Sequence, residues 1–152
     1  MLAKLEDPNK IHILFVDDDQ DDREFIIDSF ERLEWNQHIK ALHDSETLMH
    51  YLKTIHNEKA LPSLIVLDSQ LPRTGGEAIL ATLKKDERLK NIPVIVITSS
   101  LNAILKERLA QLGAYSSHQK PYTAKEYDLL MRQLIQFVTD EQKAQSEQTS
   151  TL

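Results

Sequence analysis

The stretch that decides the fold is IHILFVDDDQDDREF, residues 11–25. Its apolar part, residues 13–16, is typical of a buried strand, and the chain that follows directly carries Asp17, Asp18, Asp19, Asp21 and Asp22. Carboxylates crowded in this way repel one another, so each resists ionisation unless a cation or solvent relieves the repulsion. The pattern therefore indicates that this strand end holds something positively charged.

Apolar runs alternate with amphipathic segments along the rest of the chain. Periodicity and capping signals predict strands over residues 11–16, 38–42, 61–68, 92–99 and 114–120, and helices over residues 23–33, 45–59, 76–86, 102–112 and 123–139. In the first helix, the side chains expected on one apolar side are Phe25, Ile26, Phe30 and Leu33.

This alternation predicts an α/β fold with one domain. The runs LIVL and IPVIVI are apolar throughout, which is typical of strands covered on both faces. We therefore expect a doubly wound five-stranded parallel sheet with helices on both faces, spanning residues 10–139. Residues 140–152 are almost entirely polar and are predicted to form a disordered tail.

Composition narrows the class of protein. A chain of 152 residues suggests a single domain, and its net charge of -6 argues against direct nucleic-acid binding. The absence of cysteine excludes disulfides and thiolate chemistry. The first ten residues do not resemble a signal peptide, and no apolar run approaches the roughly 20 residues that span a bilayer. We expect a cytoplasmic protein that does not contact membranes.

Polar side chains stand at the ends of the predicted strands. In open parallel sheets, ligands bind at the carboxyl ends of the strands, and we expect the strand order 2-1-3-4-5, which is a common one for doubly wound folds. That order brings together the following residues: Asp17, Asp18, Asp68, Thr98 and Lys120. Three carboxylates suit a hard cation such as Mg²⁺, which also accepts phosphate oxygens. Lys120 and Thr98 are suited to the oxygens of a phosphoryl group.

At these residues the chain resembles the receiver domain of two-component response regulators, over roughly residues 10–138. The matching pieces, in order, are VDDD, LDSQLPRTGG, ITSS and GAYSSHQKP. The resemblance implies a stand-alone regulator rather than an enzyme that turns over a separate substrate. It also implies that Asp68 accepts a phosphoryl group from a sensor histidine kinase or a histidine phosphotransfer protein.

The resemblance assigns roles to the other residues as well. Asp18, Asp68 and the backbone carbonyl of Gln70 would bind Mg²⁺, with Mn²⁺ as an alternative, and Asp17 would act on the metal through water. Lys120 would pair with a phosphate oxygen, and the Thr98 hydroxyl would bind another and move on activation. In that family the bond corresponding to Lys120–Pro121 is cis.

One departure concerns the conformational switch. The family usually carries an aromatic residue three positions before the lysine, and this chain has Ser117 there. We hypothesise that movement of Thr98 is transmitted instead through Tyr115 or Tyr122.

Several alternatives are weighed at this stage. Asp21 and Asp22 are expected to act only on the helix dipole. An EF-hand is excluded because its sixth position is Asp22 rather than glycine. A phosphatase of the haloacid dehalogenase type could use Asp17 and Asp19, but the chain lacks that family's further acidic pair and cap.

The output of the favoured function is also open. Few residues follow the last helix, so we expect signalling by protein contact or phosphorelay, with the target unknown and a homodimer through the final helices left open.

Overall fold

The computed structural model describes residues 7–150, and for residues 146–150 it describes the backbone alone. The strands are β1 (Ile13–Val16), β2 (Ile39–Leu42), β3 (Leu64–Asp68), β4 (Val94–Thr98) and β5 (Ser116–Gln119). The helices are α1 (Gln20–Arg32), α2 (Ser45–Thr54), α3 (Gly75–Lys85), α4 (Ala103–Gln111) and α5 (Ala124–Ser150). Short 3-10 turns cover Asn36–His38 and Glu58–Ala60, so the second predicted helix, over residues 45–59, is shorter than expected.

The five strands form one parallel sheet in the order β2-β1-β3-β4-β5, which confirms the predicted architecture. Alternate residues of the central strand β1 point to opposite faces, as the period of a strand requires. Ile13 and Phe15 pack with α1 and α5, whereas Leu14 and Val16 pack with α2, α3 and α4. This is why a continuous apolar run was needed at β1. The edge strands β2 and β5 carry polar side chains, as edges of sheets commonly do.

Helix starts follow the capping residues in the sequence. Asp19, Asp44 and Asn102 each accept a backbone N–H with the side chain at the N-terminus of α1, α2 and α4, respectively. At α5, the Thr123 hydroxyl accepts from Glu126 N at 3.1 Å, as the predicted capping box requires. The Glu126 carboxylate, however, accepts from Tyr122 N at 2.8 Å rather than from Thr123 N.

Two expectations about helices are wrong. Helix α5 continues to Ser150, so residues 140–150 are helical rather than disordered, and residues 151–152 of the predicted tail lie outside the described residues. The segment EQKAQSEQ is polar, but its residues favour helix and it contains no glycine or proline to end one. Phe25 is 46% exposed and is not part of the core, unlike the other residues expected on that side of α1.

The two ends of the sheet differ in character. Trp35 is buried near the amino end of β1, where its ring lies 6.1 Å from His12 and 5.2 Å from His38 between centroids. The carboxyl ends of the strands carry the aspartates. Among residues 7–150, no helix combines the length and the apolar character that crossing a bilayer demands.

Candidate phosphorylation site

The carboxyl edge of the sheet brings together side chains that are far apart in the sequence. Asp17 follows β1, Asp68 ends β3, Thr98 ends β4 and Lys120 follows β5. Because β1 pairs with β3 in a parallel register that aligns Val16 with Leu67, Asp17 and Asp68 leave the sheet side by side. The predicted strand order thus places these four residues at one edge.

Three carboxylates form a group that could hold a metal ion. Asp17, Asp18 and Asp68 each offer an oxygen, and these oxygens lie within 4.8 Å of one another. Asp17 and Asp68 are buried, whereas Asp18 is exposed at the rim. Carboxylate oxygens are the ligands that Mg²⁺ prefers. The donor set therefore fits a hard divalent cation.

Backbone N–H groups hold the two buried carboxylates. Asp17 Oδ1 accepts from Asp19 N at 3.0 Å, and Asp68 Oδ1 accepts from Gln70 N at 3.0 Å. This bond places Gln70 beside Asp68, while the metal role of its carbonyl stays a prediction. With one oxygen of each carboxylate occupied by the backbone, the other oxygen faces Lys120.

Lys120 lies at the centre of the carboxylates. Its Nζ is 2.6 Å from Asp22 Oδ2, 2.9 Å from Asp17 Oδ2 and 3.1 Å from Asp68 Oδ2. Burial alone would lower the pKa of Lys120, but the hydrogen bonds from Asp22 and Asp17 raise it above its usual value, so the side chain is charged. Lys120 therefore neutralises part of the negative charge that the sequence places here.

The environment of Asp17 has the opposite effect on a carboxylate. Burial raises the pKa of Asp17 to about 6, and the charge of Asp68 adds to the shift, although hydrogen bonds from Asp19 N and Lys120 oppose it. One ammonium shared among several acids leaves this site short of positive charge. A bound cation would supply it.

The Thr98 side chain is buried next to the site, and its hydroxyl accepts from Ser100 N at 3.3 Å. Ser99 Oγ in turn donates to Gln70 Oε1 at 3.2 Å, which links the loop after β4 to the loop that follows Asp68. Thr98 is therefore at the edge where it was predicted, within a loop pair that includes the candidate phosphoacceptor.

The residues associated with switching occupy three different environments. Ser117 lies in β5 opposite Val96. Tyr115 is exposed, with its ring 4.7 Å from that of Phe137, and Tyr122 is exposed near Gln119. No peptide bond between described residues is cis, so the Lys120–Pro121 bond is trans and the cis bond implied by the family resemblance is wrong for this structure.

Sequence reasoning missed two residues of the site, Asp22 and Tyr127. Asp22 was assigned only a helix-dipole role, yet it makes the shortest contact with Lys120, and its Oδ1 accepts from the Tyr127 hydroxyl at 3.3 Å. A signal existed for Asp22: it lies three residues after the N-cap Asp19, and the first turn of α1 brings it back toward the strand ends. No comparable signal pointed to Tyr127, which is 102 residues and several elements away from the first strand's end in sequence terms, counting from residue 25.

Comparisons with known proteins agree with this geometry. The family model described as "Response regulator receiver domain" matches residues 13–132. A curated relative, the probable methanogenesis regulatory protein FilR2 of Methanothrix harundinacea, is 34% identical over 126 residues, covering 82% of this chain and 76% of the relative. The chain also matches two histidine kinases, but it spans only 4% and 6% of their lengths.

Solved structures give the same result. The crystal structure of the phosphorylated cyanobacterial phytochrome response regulator RcpA superposes with a TM-score of 0.73 at 25% identity, covering 86% of this chain and 94% of the other. The Mn²⁺-bound form of response regulator Rcp1 gives a TM-score of 0.65 at 26% identity, covering 83% and 89%.

The chain therefore belongs to the receiver-domain family of two-component response regulators. Members of that family act in signalling rather than as conventional enzymes, and they bind Mg²⁺ or Mn²⁺ at an acidic pocket. Family membership leaves the haloacid dehalogenase alternative without support. In the structure, the Asp19 side chain caps α1.

Proposed function

We propose that this protein is a response regulator that accepts a phosphoryl group on Asp68 in a Mg²⁺-dependent reaction. The observation that carries the proposal is the contact of Lys120 Nζ with Asp68 Oδ2 at 3.1 Å, beside carboxylate oxygens that lie within 4.8 Å of one another. A nucleophile, a cation seat and a fixed positive charge are the parts that phosphoryl transfer requires.

The proposed reaction is a displacement at phosphorus. An oxygen of Asp68 attacks a phosphohistidine, the P–N bond breaks, the imidazole nitrogen keeps the electron pair, and an O–P bond forms. Lys120 stabilises the negative charge on the phosphoryl oxygens, and the Thr98 hydroxyl donates to one of them. A bound divalent cation neutralises further charge on those oxygens.

We propose that Asp18, Asp68 and the Gln70 carbonyl hold the cation, with Asp17 acting through water. The acid cluster supports this assignment, because Asp18 is exposed to solvent and Asp68 is adjacent to it. The Mn²⁺ bound to the similar Rcp1 makes Mn²⁺ an alternative to Mg²⁺.

We propose a histidine kinase or a histidine phosphotransfer protein as the donor, and a cytoplasmic location. Output would come from protein contact or phosphorelay, without direct contact to nucleic acid or membrane. Four large apolar side chains of the region near β4 and β5 are exposed and could contact a target or a second copy of the chain: Ile104, Tyr115, Tyr122 and Leu129.

For the switch, the contacts favour Tyr122 over Tyr115. Gln119 Nε2 donates to Ser99 O at 2.7 Å and lies 3.3 Å from the Tyr122 hydroxyl. Gln119 Oε1 also accepts from Leu101 N at 3.1 Å. Gln119 thus connects the loop after Thr98 with Tyr122, and we propose this connection as the route by which movement of Thr98 reaches the surface.

The test is phosphorylation by acetyl phosphate, followed by intact-protein mass spectrometry with and without Mg²⁺. We expect a phosphoprotein from the wild type with Mg²⁺ and none from Asp68→Asn. Asp19→Asn is the matched control, because asparagine caps a helix as well as aspartate does. Modification of Asp68→Asn at the wild-type rate, or loss of modification in Asp19→Asn alone, would overturn the proposal.

A further inference from the structure

Asp22 makes the shortest of the three carboxylate contacts with Lys120, at 2.6 Å against 2.9 Å for Asp17 and 3.1 Å for Asp68. An ammonium group has three N–H donors. One donor is therefore available for each carboxylate. Asp17 and Asp68 approach Lys120 from the strands, whereas Asp22 approaches it from the first turn of α1.

Asp22 differs from the other two acids in a second respect. Asp17 and Asp68 belong to the group whose oxygens could hold a cation, and Asp22 does not. A divalent cation at that group would repel the ammonium and compete with it for the oxygens of Asp17 and Asp68. Asp22 is the carboxylate that stays available to Lys120 under those conditions.

Asp22 is itself held by a partner from another helix. Its second oxygen, Oδ1, accepts from the Tyr127 hydroxyl at 3.3 Å. Tyr127 is buried in α5, and its ring stacks on that of Phe25 with the centroids 5.6 Å apart and the planes 5° from parallel. The carboxylate is therefore fixed on one side by a side chain that is packed in place.

We infer that Asp22 is a positioning residue that holds the Lys120 ammonium beside Asp68, and that Tyr127 holds Asp22 in turn. The inference rests on the proposed phosphorylation of Asp68. A charge fixed before the donor arrives stabilises the transferring group without reorganisation at the moment of reaction. Loss of this support lowers the maximal rate of transfer and leaves the KM for the phosphodonor unchanged.

The experiment compares Asp22→Asn with Asp21→Asn. The control removes the same charge from the same turn of α1, and Asp21 makes no contact with Lys120 among the described residues. We expect Asp22→Asn to lower the maximal rate of phosphorylation by acetyl phosphate about tenfold relative to the control, as loss of a hydrogen bond between charged groups would. Asp22→Glu should recover part of this loss.

A second measurement does not depend on phosphorylation. A held ammonium exchanges its protons slowly, so we expect a Lys120 NH₃⁺ signal in ¹H–¹⁵N spectra of the wild type and of Asp21→Asn, and its loss in Asp22→Asn. Mn²⁺ affinity, measured by calorimetry, should be the same in the two variants, because neither residue belongs to the candidate metal group.

Tyr127→Phe tests the second half of the inference. It removes the hydroxyl and keeps the ring stacked on Phe25, so we expect a smaller fall in the maximal rate, about threefold. Tyr51→Phe, on the opposite face of the sheet, is its control and should match the wild type.

The outcomes separate the two proposals. Equal maximal rates for Asp22→Asn and Asp21→Asn, or a Lys120 signal that persists in Asp22→Asn, would overturn the role of Asp22. A wild type that is never phosphorylated would overturn the proposed function, and the ammonium signal would then still decide whether Asp22 holds Lys120.

Discussion

Gly76 packs so closely against Asp68 that a Cβ atom on Gly76 would lie 2.6 Å from the Asp68 carbonyl oxygen. The same Cβ would lie 2.8 Å from Ser69 Cα, and neither atom is the end of a flexible side chain that could move aside. The start of α3 can therefore approach the candidate phosphoacceptor only with glycine at this position.

Gly76→Ala should displace the loop that carries Asp68. We expect it to lower the free energy of unfolding by about 1–3 kcal/mol and to slow phosphorylation of the folded protein. Gly75→Ala is the control: Gly75 has φ +70 with nothing within 4 Å of its Cβ position. It should cost about 1–2 kcal/mol in backbone strain without slowing the reaction. Urea denaturation and phosphorylation kinetics measure both effects, and equal rates in the two variants would contradict the prediction.

Lys120→Met should destabilise the metal-free protein. It leaves Asp17 and Asp68 buried without their cation, and we expect a loss of about 3 kcal/mol in the free energy of unfolding. Mg²⁺ should recover part of that loss, because it supplies charge to the same carboxylates and binds only the folded state. The measurement is urea denaturation in EDTA and in Mg²⁺.

The control for this variant is Lys90→Met. Lys90 pairs with Glu87 at 2.8 Å on the exposed surface, so its removal should change stability by less than about 0.5 kcal/mol with or without Mg²⁺. A Lys120→Met protein as stable as Lys90→Met would show that the central ammonium does not balance the carboxylates.

Gln119→Ala should disconnect Tyr122 from the loop after Thr98. With ¹³C-labelled tyrosine, we expect phosphorylation to change the ring signals of Tyr122 in the wild type and to leave them unchanged in Gln119→Ala. The exposed Tyr115, which packs on Phe137 rather than on Gln119, serves as the internal control. A response at Tyr115 that exceeds the response at Tyr122 would favour the other route.

His12 should make the stability of the fold depend on pH. Burial lowers the pKa of His12 to about 4 from its usual 6.5, and the charge of Lys10 contributes to the shift. Between these two pH values the unfolded chain binds the proton and the folded chain does not, so stability falls as the pH is lowered through this window.

His12→Gln should remove this part of the pH dependence. From pH 7 to pH 5, we expect the wild type to lose up to about 2 kcal/mol more stability than the variant. His56→Gln, at an exposed position, should follow the wild type. Parallel pH curves for the wild type and His12→Gln would contradict the assignment.

The sheet and most of the site were accessible from sequence because local signals and topology agreed. Runs that are apolar throughout, such as β3 and β4, occur where both faces are covered, and parallel strands bring Asp17, Asp68 and Lys120 to one edge. Strand β5 has no apolar residue, so only its place in the alternation of strands and helices predicted it.

The contacts that sequence reasoning missed depend on tertiary packing. Asp22 reaches Lys120 because α1 begins immediately after the strand, and Tyr127 reaches Asp22 because α5 packs on α1. Neither contact has a spacing signal in the chain. The helical segment after residue 139 was missed for a different reason, because polarity was weighed above helix propensity.

Trp35 is the single tryptophan of the chain, and it is buried at the amino end of β1, near His12. Five residues of strand separate His12 from Asp17, or roughly 16 Å at the usual rise of a strand. Its fluorescence should therefore report global unfolding while remaining insensitive to chemical events at Asp68. Denaturation and modification can consequently be followed independently in the same sample, with no added label.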